Sequence, residues 1–272
     1  MNNNMNFHQT FSPEREAIAQ ILNLAAKENG ALNKDEISNM TTIPTGDRSG
    51  KVVPTIRYAE YMGLLDIENI GGYFKLSLTS LGRIINNEDP YISEPITMWA
   101  CHYKLTSKES KAGLWSYVFN EIIPQLGSSF SKEVFSNIIN KNFLKEVNLT
   151  PLRSCYLNDR SFGNLGLMKE EGNKYLFTPH KLDPTYKYLY AYQLLLDWER
   201  HLGDRTEITI DEIKDHLYFG NSYLWTERDL LNLLELLQDE RIILMNRQLS
   251  PITVVKQENS KNMLNRIYSL LI

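Results

Sequence analysis

The alternation of apolar and polar positions predicts three helices in the first part of the chain. Apolar side chains recur every three or four positions over 12–30, which is the spacing of one helix face. A short helix over 34–40 follows, because Asn33 and Glu36 have the spacing of a reciprocal N-terminal cap. A third helix is predicted over 53–62, since the glycine directly after it is typical of a helix end.

Beyond the third helix the period of the pattern changes to that of strands. Residues 66–70 and 73–78 alternate, and the Gly71-Gly72 pair between them is typical of a two-residue hairpin turn. A further helix is predicted over 79–87. This order of three helices, a hairpin and a helix predicts a winged-helix DNA-binding domain in residues 1–92.

Weaker versions of this order occur twice more. A charged strand, a glycine turn and an aromatic strand recur around Gly172, so residues 129–184 are interpreted as a second winged-helix-like unit. Helical and hairpin patterns in 185–272 predict a C-terminal helical or winged-helix-like unit. The aromatic-rich segment 93–128 is interpreted as a helical connector. The predicted fold class is therefore mainly α with small β-hairpins.

The composition is typical of a folded globular protein with more than one core. The chain has 272 residues, of which 42% are hydrophobic and 23% charged. It contains no secretion signal and no apolar run long enough for a membrane span, so we expect a cytoplasmic protein. Cys101 and Cys155 are far apart, which excludes a disulfide framework and a zinc-ligand pair and predicts two buried thiols.

The net charge of −4, with an isoelectric point near 5.8, gives the protein no overall attraction to phosphates. DNA binding therefore needs a local patch, and the acidic balance favours a partner protein or a second subunit, which leaves a homodimer open. The third helix and hairpin of the predicted winged helix offer such a patch, through Arg48, Lys51, Thr55, Arg57, Tyr58, Lys75 and Arg83. The alternative is a solvated face used for protein contacts.

No single motif identifies an enzyme. The sequence lacks a Walker loop, a dinucleotide fingerprint, a nucleophile elbow, a kinase signature and an HExxH pair. Residues 211–214 contain the acidic-x-Lys element of some metal-dependent nucleases, but the segment has the pattern of a helix and no upstream partner. His8, close to Thr10 and Arg15, and His102 have polar neighbours, a setting that is more often structural than catalytic.

Many short segments, in order along nearly the whole chain, match one known family. The first is Phe7-His8-Gln9-Thr10-Phe11 with Arg15. The others are Gly50-Lys51-Val52-Val53, Ile56-Arg57-Tyr58-Ala59, Gly63-Leu64, Leu78-Thr79, Leu81-Gly82, Asp89-Pro90-Tyr91, 99–105, Trp115, Phe119-Asn120, Leu165-Gly166-Leu167, Tyr175-Leu176-Phe177 and 229–237. Together they resemble the SspB-like family, the B component of the Ssp DNA phosphorothioation system.

The resemblance implies a DNA-nicking component of a phage-defence system that places sulfur in the DNA backbone. It implies action with a cysteine desulfurase, an ATPase and an ATP-pyrophosphatase-type sulfur-transfer enzyme. By resemblance, and with Mg²⁺ or Mn²⁺ as the metals considered, the candidate catalytic residues are His8, Thr10, Arg15 and His102.

Two positions depart from the family pattern. Gln9 stands where the family usually has glutamate, and Val52 where it often has asparagine. A metal-binding carboxylate would then come from elsewhere, such as Asp89 or Glu121. The second hypothesis is a non-catalytic winged-helix regulator or scaffold that binds DNA without cutting it.

Overall fold

The elements predicted for the first ninety residues are present in the computed structural model of the chain. The structure describes residues 6–28, 30–46, 50–143, 147–248 and 250–271. The first elements are α1 (Arg15–Lys27), β1 (Ala31–Leu32), α2 (Lys34–Met40), α3 (Val52–Tyr61), β2 (Leu65–Ile70), β3 (Tyr73–Leu78) and α4 (Ser80–Glu88). The predicted order is confirmed with one addition, the strand β1, whose two residues are too few to produce an alternating pattern.

Local signals fix where several of these elements begin and turn. The Asn33 side chain accepts hydrogen bonds from the backbone N–H groups of Asp35 and Glu36, and the Glu36 carboxylate accepts one from the Asn33 backbone. This is the predicted reciprocal cap of α2. Gly71 and Gly72 have φ angles of +61° and +87°, which the two-residue turn between β2 and β3 requires.

The hairpin and β1 form an antiparallel sheet in the order β1-β3-β2. One face of the sheet packs on α1, where Phe74 and Leu76 of β3 and Ile18 and Leu22 of α1 are buried. The opposite face is exposed to solvent and carries the pairs formed by β2 with β3, which include Ile70 opposite Tyr73 at the turn.

The remainder of the first compact unit, which ends at Thr178, contains the connector and a second sheet. Its elements are α5 (Pro95–Thr106), α6 (Gly113–Tyr117), a π-helix (Val118–Ile122), α7 (Ile123–Leu126), β4 (Ser129–Ser131), α8 (Lys132–Phe143), α9 (Thr150–Leu157), a 3₁₀ turn (Gly163–Leu165), β5 (Met168–Glu171) and β6 (Lys174–Phe177). The sheet order is β4-β6-β5. The connector aromatics Trp99, Trp115 and Phe119 are buried, as their spacing predicts.

The second compact unit begins at Pro179. It contains α10 (Lys187–Leu202), β7 (Glu207–Thr209), a π-helix (Glu212–His216), α11 (Glu227–Asp239), β8 (Ile243–Asn246), β9 (Thr253–Lys256), α12 (Ser260–Leu264) and short 3₁₀ turns at Pro184–Tyr186 and Asn221–Tyr223. The sheet order is β7-β9-β8, so its central strand is again the second strand of the hairpin.

The observed fold class is mainly α with small antiparallel sheets, as the sequence predicts. In each sheet of the described residues, a short strand that directly precedes a helix pairs with the second strand of a later hairpin. None of the described helices is long and apolar enough to cross a membrane.

Candidate functional site

Helix α3, the centre of the predicted DNA-binding patch, is covered on two sides by its own chain. One side packs on α1. On another side the Phe7 ring meets the rings of Tyr58 and Tyr61 edge-on, with ring centroids 4.8 and 4.7 Å apart. Trp115 of α6 completes this cluster, 5.7 Å from the Tyr58 ring. Little of α3 is therefore left open to solvent.

This packing corrects the expectation that Thr55 and Tyr58 lie on the exposed side of the third helix. Thr55 is only 7% exposed, and its hydroxyl donates to the Lys51 carbonyl at 2.7 Å. Tyr58 is 1% exposed, and its hydroxyl donates to the Phe11 carbonyl at 2.9 Å. Burial also raises the pKa of Tyr58 well above its ordinary value. Both side chains are buried and bind backbone carbonyls of the protein itself.

The predicted cations of α3 are engaged with carboxylates. Lys51 Nζ lies 2.5 Å from Glu14 Oε1. Arg57 Nη1 lies 2.7 Å from Glu60 Oε2, and the second oxygen of Glu60 binds Lys111 at 2.8 Å. Ion pairs near the surface contribute little stability, so such cations can exchange a carboxylate for a phosphate at modest cost.

The hairpin cations are more accessible. The Lys75 side chain is half-exposed on the outer face of β3, 3.9 Å from the Glu68 carboxylate. Arg83 of α4 is exposed and donates to the Leu78 carbonyl at 2.7 Å, which holds its guanidinium at the base of the hairpin. Arg48, the remaining predicted cation, lies outside the described residues.

His8 and Thr10 differ in exposure, although both lie in the N-terminal turn. The His8 side chain is buried, its ring 5.8 Å from Trp115, and its Nδ1 donates to the Gln9 carbonyl at 2.8 Å. Gln9, the residue that departs from the family pattern, has a φ of +52° and is exposed, as is Thr10. Of these candidates, Thr10 is the one that meets solvent.

His102 lies in the buried interior of the connector. A hydrogen bond of 2.9 Å joins its Nδ1 to the Tyr156 hydroxyl, linking α5 to α9. Its ring also meets Phe119 edge-on, with centroids 4.9 Å apart. Cys101 and Cys155 are buried free thiols, as predicted, and burial raises the pKa of both.

Arg15 binds backbone carbonyls instead of pointing into open solvent. Its Nη1 donates to the Ile92 carbonyl at 3.0 Å, and its Nη2 donates to the Asp159 carbonyl at 2.6 Å. Its backbone N–H donates to the Arg160 carbonyl at 2.9 Å. Arg15 therefore fastens the start of α1 to two loops that are distant in sequence.

Asp89, considered from the sequence as a substitute metal ligand, is a buried loop cap. Its Oδ1 accepts hydrogen bonds from the backbone N–H and the hydroxyl of Ser93, each at 2.9 Å. Its Oδ2 accepts the Glu94 backbone N–H, also at 2.9 Å. Both carboxylate oxygens are committed to the backbone of the loop that follows α4.

Potential metal ligands do not converge in the part of the chain that the structure describes, where no group of three or more His, Cys, Asp and Glu side chains could hold an ion. The acidic-x-Lys element lies on a π-helix, and its Glu212 carboxylate binds Arg205 at 2.6 Å. That hydrogen bond, together with those from the backbone N–H and hydroxyl of Thr209, lowers the pKa of Glu212 to about 2.

An open groove of about 890 Å³ runs beside α1. The end of α2, the loop after α4 and Arg160 form its other walls. Tyr91 and Met40, which line it, are 77% and 49% exposed. The sequence pattern does not predict this groove, because its walls come together only through long-range contacts.

Together these elements define a mainly helical protein built from helix-and-hairpin modules. The chain belongs to the family described as "Protein of unknown function (DUF4007)", whose model matches residues 6–159, more than half of the sequence. No curated protein matches the sequence.

Two solved structures share the fold. The magnesium ion-bound SspB crystal structure superposes with a TM-score of 0.76 at 16% identity, over 97% of this chain and 86% of that one. A second SspB crystal structure gives a TM-score of 0.74 with the same identity and coverage. The predicted resemblance to the SspB-like family is confirmed by these matches at the level of fold.

Proposed function

We propose that this protein is a DNA-binding component of a DNA phosphorothioation and phage-defence system, and that it nicks DNA strands for sulfur incorporation. The observation that carries the proposal is the likeness of nearly the whole chain to SspB, which spans both compact units. The ordered sequence matches to that family add an independent line of support. The sulfur-transfer partners are those that the resemblance implies.

In the first module three helices precede the hairpin β2-β3 and a fourth helix follows it, an order that supports the proposed winged helix and its docking on DNA. Because α3 is largely covered, the proposed contacts are limited to its partly exposed cations and to the cations at the hairpin and its base. Lys51 and Arg57 would exchange Glu14 and Glu60 for phosphates, while Lys75 and Arg83 are already accessible. Such contacts bind the backbone without reading bases.

Strand cleavage needs a nucleophile and positive charge at the reacting phosphate. Thr10 is the exposed candidate and would orient the phosphate or the attacking water. Lys51 would neutralise charge, and its Nζ lies 5.9 Å from the ring centroid of the neighbouring Phe11. His8, His102 and Arg15 would act as positioning residues, since each is held by groups of the protein itself. We assign no metal ligands.

The test is incubation of supercoiled plasmid with the purified full chain in Mg²⁺, Mn²⁺ or EDTA, with open circular DNA as the readout. Metals are included because one similar structure is magnesium-bound. Nicking by wild type that is lost in Thr10→Ala supports the proposal. No nicking in any buffer, with DNA binding retained, rejects the enzymatic part.

The burial of His8 and His102 favours a second candidate function, a DNA-binding scaffold without hydrolysis. A gel-shift series with the same preparation separates the two. Binding without nicking selects the scaffold, and absence of both rejects the DNA-directed proposal altogether.

A further inference from the structure

The loop between α4 and α5 holds an unusual backbone conformation. Ile92 has a φ of +54°, a left-handed conformation that a β-branched residue rarely adopts. Strain of this kind persists only where the surroundings enforce it, and it clusters at sites that act on ligands. The side chain of Ile92 is fully buried, so it anchors the loop to the core.

Hydrogen bonds from two further residues hold the backbone of this loop. Asp89 accepts the backbone N–H groups of Ser93 and Glu94, both at 2.9 Å. Arg15 donates to the Ile92 carbonyl at 3.0 Å. The outcome is a rigid loop that presents Tyr91 to solvent with 77% of its surface exposed. A preformed aromatic anchor loses little conformational entropy when a partner binds.

Tyr91 stands at the rim of the groove beside α1, and Met40 lines the same groove. Met40 lies near the middle of α1, because Gln20 makes hydrogen bonds with Thr42 at 2.7 and 2.8 Å. Gln20 is five residues beyond Arg15, which corresponds to about 8 Å along the helix axis. The two exposed apolar side chains thus line the groove at different positions along α1.

The charges of the groove favour a protein segment over a polyanion. The lining carries three acids, Glu14, Glu16 and Glu28, and three bases, Arg15, Lys27 and Arg160. Glu14 also pairs with Lys51, and Arg15 keeps its positive charge because the carbonyls it binds are neutral. A nucleic acid would meet the carboxylates, whereas a segment with both charges would pair with groups of both signs.

We infer that this groove binds an amphipathic helix of a partner protein, with the apolar side chains of one helix face packed on Met40 and Tyr91 and mixed charges on its flanks. A helix of about 14 residues, roughly 21 Å long, matches the length of α1. Tyrosine and arginine, here Tyr91 and Arg160, are the residue types that most often dominate such interfaces. Met40, Tyr91 and Arg160, on which the inference rests, are not among the proposed DNA contacts.

The probe is a displayed library of helical peptides of about this length, with leucine fixed at i, i+4 and i+7 and the other positions drawn from Glu, Lys, Gln and Ala. Selection uses the full-length wild-type protein. Affinities of the enriched peptides are then measured by fluorescence anisotropy. Tyr91→Ala is expected to weaken binding at least about tenfold, and Arg160→Glu to shift the charge preference at one end of the peptide.

Ile70→Ala is the matched control, because Ile70 is an equally exposed apolar residue of the same unit, 78% exposed at the hairpin turn. It should leave peptide affinity unchanged, and circular dichroism should show all variants folded. The inference is overturned if the library yields no binder, if Tyr91→Ala binds the peptides like wild type, or if Ile70→Ala lowers peptide affinity as much as Tyr91→Ala does. Tyr91-dependent binding of a single-stranded oligonucleotide that displaces the peptides also overturns it.

Discussion

The Arg15 guanidinium donates to the carbonyl of Ile92, 77 residues away, at 3.0 Å. A second hydrogen bond, to the carbonyl of Asp159, makes Arg15 a bridge between the start of α1, the loop after α4 and the loop after α9. A residue that sequence resemblance places in catalysis thus has a clear positioning role in the fold.

Replacing Arg15 should therefore destabilise the first compact unit. Arg15→Ala leaves two carbonyls without their charged donor, which we expect to lower the free energy of unfolding by about 1–3 kcal/mol. Arg15→Lys can donate to one carbonyl at most, so its free energy of unfolding should lie between those of Arg15→Ala and wild type. Urea denaturation followed by circular dichroism measures both, and equal stability of Arg15→Ala and wild type would contradict the bridge.

The contrast between this bridge and the helices explains what sequence could and could not predict. The cap of α2 and the Gly71-Gly72 turn depend on neighbours within a few residues, so the local sequence predicts both. The contact of Arg15 with Ile92 and the cover of Phe7 over α3 depend on tertiary packing. Periodicity carries no information about such long-range partners, which is why the exposed side of α3 was predicted wrongly.

Tyr58→Phe tests whether the burial of Tyr58 excludes a role in DNA contact. The variant keeps the ring packed against Phe7 and removes only the hydroxyl that donates to Phe11. We expect a loss of about 1 kcal/mol in unfolding free energy and no change in DNA affinity. Weaker binding to a fluorescent duplex, at unchanged stability, would show that the hydroxyl reaches DNA after all.

The second compact unit should lose stability at mildly acidic pH because of His180. Burial lowers the pKa of His180 from 6.5 to about 4, although Asp183 opposes the shift, and its Nε2 lies 2.8 Å from the Tyr190 hydroxyl. The unfolded chain binds more protons between these two values, so stability is full above about pH 6.5 and falls as the pH drops towards 4. Because the ring is partly exposed, we expect a total loss of no more than about 2 kcal/mol.

Urea denaturation at a series of pH values checks this, together with NMR titration of the imidazole. His180→Gln should flatten the pH dependence of the free energy of unfolding. His216→Gln, which removes an exposed imidazole from the same unit, is the control and should retain it. An imidazole of His180 that titrates near 6.5 in the folded protein would remove the basis of the prediction.

The hairpin cations offer a test of where DNA binds. Lys75→Ala and Arg83→Ala each remove a cation that is accessible without breaking a close carboxylate pair. If the removed cation binds one phosphate, the slope of log affinity against log salt should become shallower by about 0.9. Arg228→Ala, which removes an exposed arginine of α11, is the control. An unchanged slope in both hairpin variants would place the DNA elsewhere.

The carboxylate that holds Lys51 gives a prediction of opposite sign. Glu14 and Lys51 lie 2.5 Å apart, and both side chains are about one-third exposed or less. If Lys51 must leave Glu14 to reach a phosphate, then Glu14→Gln removes the competitor and should raise DNA affinity by a few-fold, about 1 kcal/mol at most. Lys51→Ala should lower affinity, and the double variant should match Lys51→Ala, because the carboxylate acts only through the lysine. Anisotropy titrations at about 50 and 200 mM salt separate the release of Lys51 from a general charge effect.

Glu16→Gln is the control, because it removes the same charge two residues away on the groove side of α1 and should leave DNA affinity near the wild-type value. Equal gains in Glu14→Gln and Glu16→Gln would instead mean that the net charge of the module, and not the release of Lys51, controls binding.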